Sequence, residues 1–256
     1  TVLAHIEESL RRLQTDYIDL FQFHNPAELP DPEDPDGSFA AALEMKEKGY
    51  IRHIGITNHR LHIAKEALAS GNFETLQFPF CHISGQQELD LVAECKERDV
   101  GFIAMKGLSG GLLNNAEVCH AFMAQYDNVV PIWGIQHEWE LDQWLELAGR
   151  EVKMTPELRE IMEADRKELA GNFCRSCGYC LPCAAGIDIP QAARMWALLR
   201  RAPYRPYMSD EWYAKMHKIE ECVHCDACKS RCPYGLDTPA LLVQQLALPV
   251  SLLACD

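Results

Sequence analysis

The chain has 256 residues, 48% of them apolar, and a formal net charge of −14. This length suits one sizeable core plus a smaller module. The excess of negative charge argues against a nucleic acid or an anionic membrane surface as partner, and no apolar stretch reaches the ~20 residues of a membrane helix.

The first 150 residues alternate between strand and helix patterns. An apolar run over 17–23 predicts a strand, and a loop rich in Pro and Asp over 26–37 follows it. Further strands are predicted over 51–56, 75–83, 100–105 and 129–132, and helices over 38–48, 61–69, 88–98, 116–125 and 138–147. A repeat of roughly 25–30 residues predicts βα units in a parallel sheet. The pattern leaves two architectures open, part of a (βα)₈ barrel and a five-stranded doubly wound sheet.

The composition changes after residue 150. A charged, helix-prone segment over 151–171 reads as a connector, with Thr155 as N-cap and Pro156 at the first helical position. A cysteine-rich module over 172–240 follows, with helices predicted over 190–201 and 210–219. The apolar tail over 241–256 is interpreted as a docking helix or a ragged end.

Eight of the twelve cysteines fall in two tight groups. The second group reads C-x₂-C-x₂-C-x₃-C-P, the run of bacterial ferredoxins, in which the fourth cysteine ligates the other cluster of a two-cluster protein. This rule predicts two 4Fe–4S clusters that exchange their fourth ligands. One is assigned to Cys174, Cys177, Cys180 and Cys232, and the other to Cys222, Cys225, Cys228 and Cys183.

The alternative for these cysteines is structural zinc, since two C-x₂-C pairs can form a Cys₄ site. A third, evenly spaced cysteine in each group favours clusters. The first group departs from the ferredoxin run, because two residues precede Cys183 and Ala184 stands where proline is usual. The remaining cysteines, Cys81, Cys95, Cys119 and Cys255, are scattered, which predicts a reducing compartment such as the cytoplasm.

Two stretches resemble the aldo–keto reductases: residues 9–20 (SLRRLQTDYIDL) followed by His24, and residues 49–58 (GYIRHIGITN). Residues 133–136 (WGIQ) and 171–174 (GNFC) resemble the branch of that family with a C-terminal, α-helical ferredoxin-like domain. The resemblance implies an α/β fold: an N-terminally truncated TIM barrel over 1–150, with strands 4–8 present, and a small dicluster domain over 172–240. It also implies that a catalytic Asp, Tyr and Lys precede Thr1, so this chain alone is expected to be inactive.

The resemblance implies that His24 is the family's catalytic histidine, which orients and polarises a carbonyl. A neutral imidazole at the C-terminal face of a barrel suits that role. The alternative is a histidine that merely caps a strand before Pro26.

The resemblance further implies an NAD(P)H site. Asn58 and Gln77 match residues that hold the nicotinamide carboxamide, and Thr57 keeps the hydroxyl of the usual serine. A turn role for Asn58 and a satisfied buried amide for Gln77 are the alternatives. Met105 stands where a stacking tyrosine is common. The remaining candidates lie in the loops that follow, and they are Lys106, Gly110 and Gly134. Glu138 and Glu140 argue against a 2′-phosphate site, so the cofactor is predicted to be NAD or absent.

These features predict an iron–sulfur oxidoreductase with nicotinamide-dependent carbonyl or alcohol chemistry. Its partners would be a small carbonyl or alcohol substrate and an electron-transfer protein. Two alternatives stay open: a non-catalytic electron-transfer or sensing module on a barrel scaffold, and a structural metal domain that docks a partner.

Overall fold

A computed structural model describes residues 2–169, 173–201 and 204–247. Contacts divide the chain into two compact units. The first comprises Thr1–Phe80, Ser84–Met105 and Gln125–Ile132, and the second comprises Cys81–Ile83, Lys106–Ala124 and Trp133–Asp256. None of the described helices has both the length and the apolar character that crossing a bilayer requires.

The first unit is a parallel sheet with helices between its strands. Its strands are Ile18–His24 (β1), Ile51–Thr57 (β2), Thr75–Pro79 (β3), Gly101–Met105 (β4) and Val129–Pro131 (β5). Its helices are Val2–Leu13 (α1), Ser38–Glu47 (α2), Leu61–Ser70 (α3) and Gln86–Glu97 (α4). The strand predicted over 75–83 ends earlier, at Pro79, although the apolar run continues into residues of the second unit.

The strand order decides between the two architectures that the sequence left open. All neighbouring strands are parallel, and they follow one another in the order β1-β2-β3-β4-β5. A doubly wound sheet reverses its order at a switch point, whereas the wall of a (βα)₈ barrel runs in sequence order. The sheet therefore has the predicted barrel topology, that of strands 4–8.

One face of the sheet is buried by aromatic side chains. Phe23 of β1 stacks on Phe39 of α2 at 6.1 Å between ring centroids, and Phe73 meets Phe39 edge-on at 5.7 Å. Phe80 packs edge-on against Phe102 of β4 at 5.6 Å. Burying each such ring stabilises the fold by roughly 1.5–3 kcal/mol, and the other face carries polar residues among apolar ones.

The second unit is helical. Its helices are Ala116–Met123 (α5), Glu138–Ala148 (α6), Pro156–Glu168 (α7), Ile189–Ala192 (α8), Met195–Arg201 (α9), Asp210–His217 (α10), Ala227–Ser230 (α11) and Thr238–Leu246 (α12). Helix α7 begins as predicted, because Thr155 Oγ1 accepts a hydrogen bond from Leu158 N at 3.3 Å. The helix predicted over 190–201 is two helices, α8 and α9, separated by a turn. Residues 170–172 and the tail over 248–256, with Cys255, lie outside the described residues.

The cysteine-rich part contains an internal repeat that the sequence analysis missed. After each cysteine group comes the same turn, residues 186–190 (GIDIP) and 235–239 (GLDTP). Gly186 and Gly235 both have positive φ, +69° and +63°. Asp188 and Asp237 both precede a helix, with ψ of 71° and 77°. Each half is therefore a cysteine loop, a glycine turn and a helix.

The two halves share one apolar core. It consists of Ile187, Ile189, Ala192, Ala193, Ile219 and Leu242. Several cysteines of both groups pack against this core, among them Cys174, Cys183 and Cys222. The core therefore sets the position of both loops within the second unit.

Candidate functional site

Both cysteine loops use left-handed backbone at the same places. Ser176 and Gly178 flank Cys177 with φ of 53° and 84°, and His224 and Asp226 flank Cys225 with φ of 52° and 54°. Such conformations are unfavourable for residues other than glycine. Alternation of left- and right-handed backbone turns successive N–H groups inward, which makes the concave anion sites common around iron–sulfur clusters.

Backbone N–H groups point at the cysteine sulfurs in these loops. Ser176 N donates to Cys174 Sγ at 3.4 Å. Burial raises the pKa of Cys177 and of Cys228, while backbone N–H groups of Tyr179 and Lys229 act in the opposite direction. Hydrogen bonds to thiolates stabilise the charged form that a metal requires.

The thiols are crowded and, apart from the exposed Cys225, partly buried. Burial raises the pKa of Cys174 and raises that of Cys180 to about 12, and neighbouring cysteines raise both further. Packing several thiolates together is unfavourable without positive charge between them. A bound metal supplies that charge and deprotonates the thiols, so the donor set fits iron–sulfur clusters.

The eight predicted ligands line two cavities within the second unit. The first cavity is lined by Cys174, Cys177, Cys180 and Cys232. The second is lined by Cys183, Cys222, Cys225 and Cys228, and Cys180 reaches it as well. The first cavity thus has three cysteines of the first group and one of the second, and the second cavity has three of the second group and two of the first. Within the described ranges, no three His, Cys, Asp or Glu side chains converge on a point where one metal ion would bind.

Arg194, in the turn between α8 and α9, binds the glycine-rich loop after β4. Its side chain is 5% exposed and its Nη1 donates to the Gly110 carbonyl oxygen at 2.7 Å. Gly110 has φ of +69°, and a Cβ there would lie 2.6 Å from Arg194 Nη1 and 3.9 Å from Ser176 Cβ. Lys106 and Gly110 therefore belong to the cysteine-bearing unit. Their role at a diphosphate stays a prediction.

The first unit places three predicted residues in one row across the sheet. His24 of β1 is in register with Thr57 of β2, which is in register with Gln77 of β3. Partners in register project from the same face of a sheet. His24 is exposed, Thr57 is buried and Gln77 is half-buried, so this row presents an imidazole, a hydroxyl and an amide side by side.

The amide of Gln77 is part of a chain of polar contacts. Gln22 Nε2 donates to Gln77 Oε1 at 3.0 Å, and Gln77 Nε2 approaches Met105 Sδ at 3.8 Å. Gly55 lies in register between Gln22 and Thr75, and a Cβ there would be 2.0 Å from Thr75 Oγ1. Gln22 was missed in the sequence, although it precedes His24 by two residues and so shares its face.

The side-chain amide of Asn58 is already hydrogen-bonded, and Gly134 lies in open space. Asn58 is fully buried; its Nδ2 donates to Pro26 O at 2.9 Å and its Oδ1 accepts from Arg60 N at 2.8 Å. This is the turn-residue arrangement, and it uses one donor and one acceptor of the amide. A Cβ on Gly134 would meet no atom within 4 Å.

A buried ionic network lies in the second unit and was not predicted. His82 Nε2 and Asp165 Oδ2 are 2.8 Å apart, and Arg201 also pairs with Asp165. Cys119 Sγ lies 3.8 Å from His82 Nδ1. Burial raises the pKa of Cys119, so its thiol is protonated and inert. Residues this distant in sequence leave no local pattern to detect.

The profile of the aldo/keto reductase family matches residues 1–165, and that of a 4Fe-4S dicluster domain matches residues 173–237. The chain belongs to the aldo/keto reductase family. This is a family of oxidoreductases, and the chain carries an iron–sulfur domain behind its family segment. The family match ends at residue 165, but the division of the chain into compact units falls elsewhere. Helices α5 to α7 lie within the family match and yet belong to the cysteine-bearing unit.

Curated aldo/keto reductase relatives match part of the chain. Aldo-keto reductase YhdN of Bacillus subtilis (strain 168) is 32% identical over 113 residues, 44% of this chain and 33% of that protein. Glyoxal reductase of the same organism is 29% identical over 143 residues, 54% of this chain and 50% of that protein. The chain thus spans between a third and a half of these relatives.

Solved aldo/keto reductase structures share the fold. The holo form of aldo-keto reductase AKR11C1 from Bacillus halodurans superposes with a TM-score of 0.53 at 22% identity, covering 64% of this chain and 66% of that one. An aldo-keto reductase from Klebsiella pneumoniae in complex with NADPH superposes with a TM-score of 0.51 at 21% identity, covering 62% of each chain.

Proposed function

We propose that this chain is part of an iron–sulfur oxidoreductase that combines nicotinamide-dependent carbonyl or alcohol chemistry with two 4Fe–4S clusters. The observation that carries the proposal is the pair of cavities, each lined by three thiols of one cysteine group and by at least one thiol of the other, with Cys180 lining both. The ferredoxin spacing requires this exchange of the fourth ligand.

The proposed ligand sets follow from spacing and cavity lining together. The first cluster takes Cys174, Cys177, Cys180 and Cys232, and the second takes Cys183, Cys222, Cys225 and Cys228. Cys180 touches both cavities, and its even spacing with Cys174 and Cys177 assigns it to the first. Structural zinc would also take four cysteines at each site, and the third, evenly spaced cysteine in each group is what favours clusters over zinc.

When bound, the clusters supply one-electron transfer. The chain's own residues hold the thiolates in place, through left-handed loops and backbone N–H groups aimed at sulfur. The shared core, including Ile187 and Leu242, keeps water from the inner side of both loops. Burial and hydrogen bonds to sulfur are the features that set a cluster's reduction potential.

At the sheet, His24 is the proposed residue that orients and polarises the substrate carbonyl. The nicotinamide would lie against the same row, held by Thr57 and Gln77 with Met105 beside it, and Asn58 would reach it after rearranging. Lys106, Gly110 and Gly134 are the proposed contacts of the diphosphate. Relatives named as reductases and the NADPH-bound structure support this proposal.

Iron analysis and EPR test the cluster part of the proposal. The chain should be reconstituted anaerobically with iron and sulfide and then reduced with dithionite. We expect about eight irons per chain and the signals of two cubanes. Cys225→Ser should change one cluster and Cys174→Ser the other. About four irons, or zinc in place of iron, would contradict the proposal.

A second candidate is an electron-transfer or redox-sensing module that performs no carbonyl chemistry. The observation in its favour is that the amides of Asn58 and Gln77 are already bonded within the first unit. Nicotinamide titration of the full-length parent protein discriminates between the two. Oxidation of NAD(P)H by an aldehyde or ketone, lost in His24→Ala, supports the reductase, and absence of nucleotide binding supports the module.

A further inference from the structure

The two halves of the cysteine-rich part repeat one backbone but differ in charge. Aligning the turns GIDIP and GLDTP places Arg194 of the first half at the position of Val243 in the second. Arg194 is 5% exposed, whereas Val243 is 58% exposed. The repeat therefore has a buried cation in one half and an apolar side chain on the surface in the other.

Three hydrogen bonds fix the Arg194 guanidinium. Nη1 donates to Gly110 O at 2.7 Å, and Nη2 and Nε donate to Gln191 Oε1 at 2.9 and 3.3 Å. Neither acceptor carries a charge, so neither neutralises the guanidinium. A buried charge that is held rigidly acts on its surroundings with little solvent screening.

The guanidinium faces the first cysteine loop. Gly110, which it binds, is within 3.9 Å of Ser176 Cβ once a Cβ is built on it, and Ser176 N donates to Cys174 Sγ. Burial lowers the pKa of Arg194, and Cys174 opposes that effect more than Tyr207 or Asp188 does. Asp188 is the one carboxylate among these groups, and it partly offsets the cation.

The other charged side chains around the two cavities also make the first cavity the more positive one. Arg175 lines the first cavity, and Lys106 lowers the pKa of Cys177 against the larger effect of burial. The second cavity is lined by one cation, Arg231, and one anion, Asp226. The other cations near the second group are exposed and paired, as Lys229 is with Asp237 at 2.7 Å, so solvent screens them.

We infer that the buried positive charge of Arg194 raises the reduction potential of one cluster above that of the other. The cluster concerned is the one at Cys174, Cys177, Cys180 and Cys232. A nearby positive charge stabilises the reduced, more negative state of a cluster. In a chain that carries one added electron, that electron resides on the first cluster. The inference rests on the proposed pair of clusters.

EPR-monitored potentiometric titration of the reconstituted full chain tests the inference. Arg194→Gln is expected to lower one of the two reduction waves, on the order of tenfold in the equilibrium constant or ~59 mV for one electron, and to leave the other in place. Arg194→Lys, which keeps the charge, should shift that wave less. Arg200→Gln is the matched control, because Arg200 is also near α9 but is 61% exposed and pairs with Glu168; neither wave should move.

The Cys225→Ser variant identifies the waves without altering Arg194. The wave that it moves or removes belongs to the second cluster, and in the unaltered chain this wave must be the lower of the two. If it is the higher wave, or if Arg194→Gln shifts neither wave in a fully loaded chain, the inference fails while two clusters remain. A chain with fewer than two clusters would instead defeat the proposed function.

Discussion

His82 and Asp165 form a buried pair, with 2.8 Å between Nε2 and Oδ2 and both residues at most 5% exposed. Arg201 binds the same carboxylate, and Arg166 donates from Nε to the His82 carbonyl oxygen at 2.6 Å. The pair therefore joins the short segment Cys81–Ile83 to α7 and α9 within the second unit.

Replacing Asp165 with Asn should destabilise the chain by roughly 1–3 kcal/mol, because His82 and Arg201 lose a charged partner while Arg201 keeps its pair with Glu168. Chemical denaturation monitored by circular dichroism measures the change. Glu163→Gln is the control, since Glu163 lies on the same helix but is 57% exposed in its pair with Arg166. An equal loss in both variants would contradict the prediction.

The same pair predicts a dependence on pH. Burial acts to raise the pKa of Asp165, but the hydrogen bonds from His82 and Arg201 outweigh it and hold the pKa below the ordinary value of an aspartate. A lowered carboxylate pKa contributes stability that is fully present above the unfolded value and is lost as the pH falls through the folded one. Asp165→Asn should therefore flatten the acid end of the stability profile below about pH 4.

Glu74 should make a smaller contribution of the same sign in the first unit. Burial opposes the shift, yet bonds from Lys46, His53 and the Ile54 N–H lower the pKa of Glu74 to about 2. The side chain is 40% exposed, so solvent screening limits the benefit. Glu74→Gln should cost about 0.5–1 kcal/mol at neutral pH, and the difference should vanish as the pH falls from about 4.5 to 2. A cost that persists at pH 2 would assign it to packing.

Gly55 should tolerate no side chain. A Cβ at this position would lie 2.0 Å from Thr75 Oγ1 and 3.2 Å from Leu20 Cδ1. Gly55→Ala is expected to destabilise the chain by roughly 1–3 kcal/mol through overpacking. Adding Thr75→Ala removes the closest atom, so the double variant should recover part of the loss, and strict additivity in this cycle would refute the steric explanation.

The left-handed backbone of His224 predicts opposite effects for two substitutions. At φ of 52°, glycine relieves strain of about 1–2 kcal/mol, whereas a β-branched valine increases it. His224→Gly should keep or improve cluster retention on dilution into a chelator, and His224→Val should impair it. At the neighbouring Val223, which lacks a left-handed φ, substitution by glycine should bring no gain. Iron release measured over time distinguishes these variants.

Much of the fold could be predicted because its signals are local. Apolar runs and helical periodicity located the elements of the sheet to within a few residues, and the regular spacing of the cysteines singled out those that line both cavities. Strand order depends on contacts between residues that are distant in sequence, so the hydrophobic pattern does not predict it. Only the resemblance to a family favoured the barrel.

Two features were not predicted from the sequence, for different reasons. His82 and Asp165 are 83 positions apart, and no local sequence pattern around either residue predicts that they pair. The repeated glycine turn could have been detected in the sequence, since GIDIP and GLDTP follow the two cysteine groups at the same distance. Arg194 could then have been compared with its counterpart in the second half. Comparing the two halves with each other would have revealed the repeat and the charge difference within it.

The repeated loop also orders the events of synthesis. Under the proposed ligation, the first cluster needs Cys232 and the second needs Cys228, so the ligands of neither are complete until the ribosome has passed most of the second cysteine group. A chain cut between the two groups completes no cluster. Clusters would then be completed only in chains whose synthesis has passed the sheet and both cysteine loops.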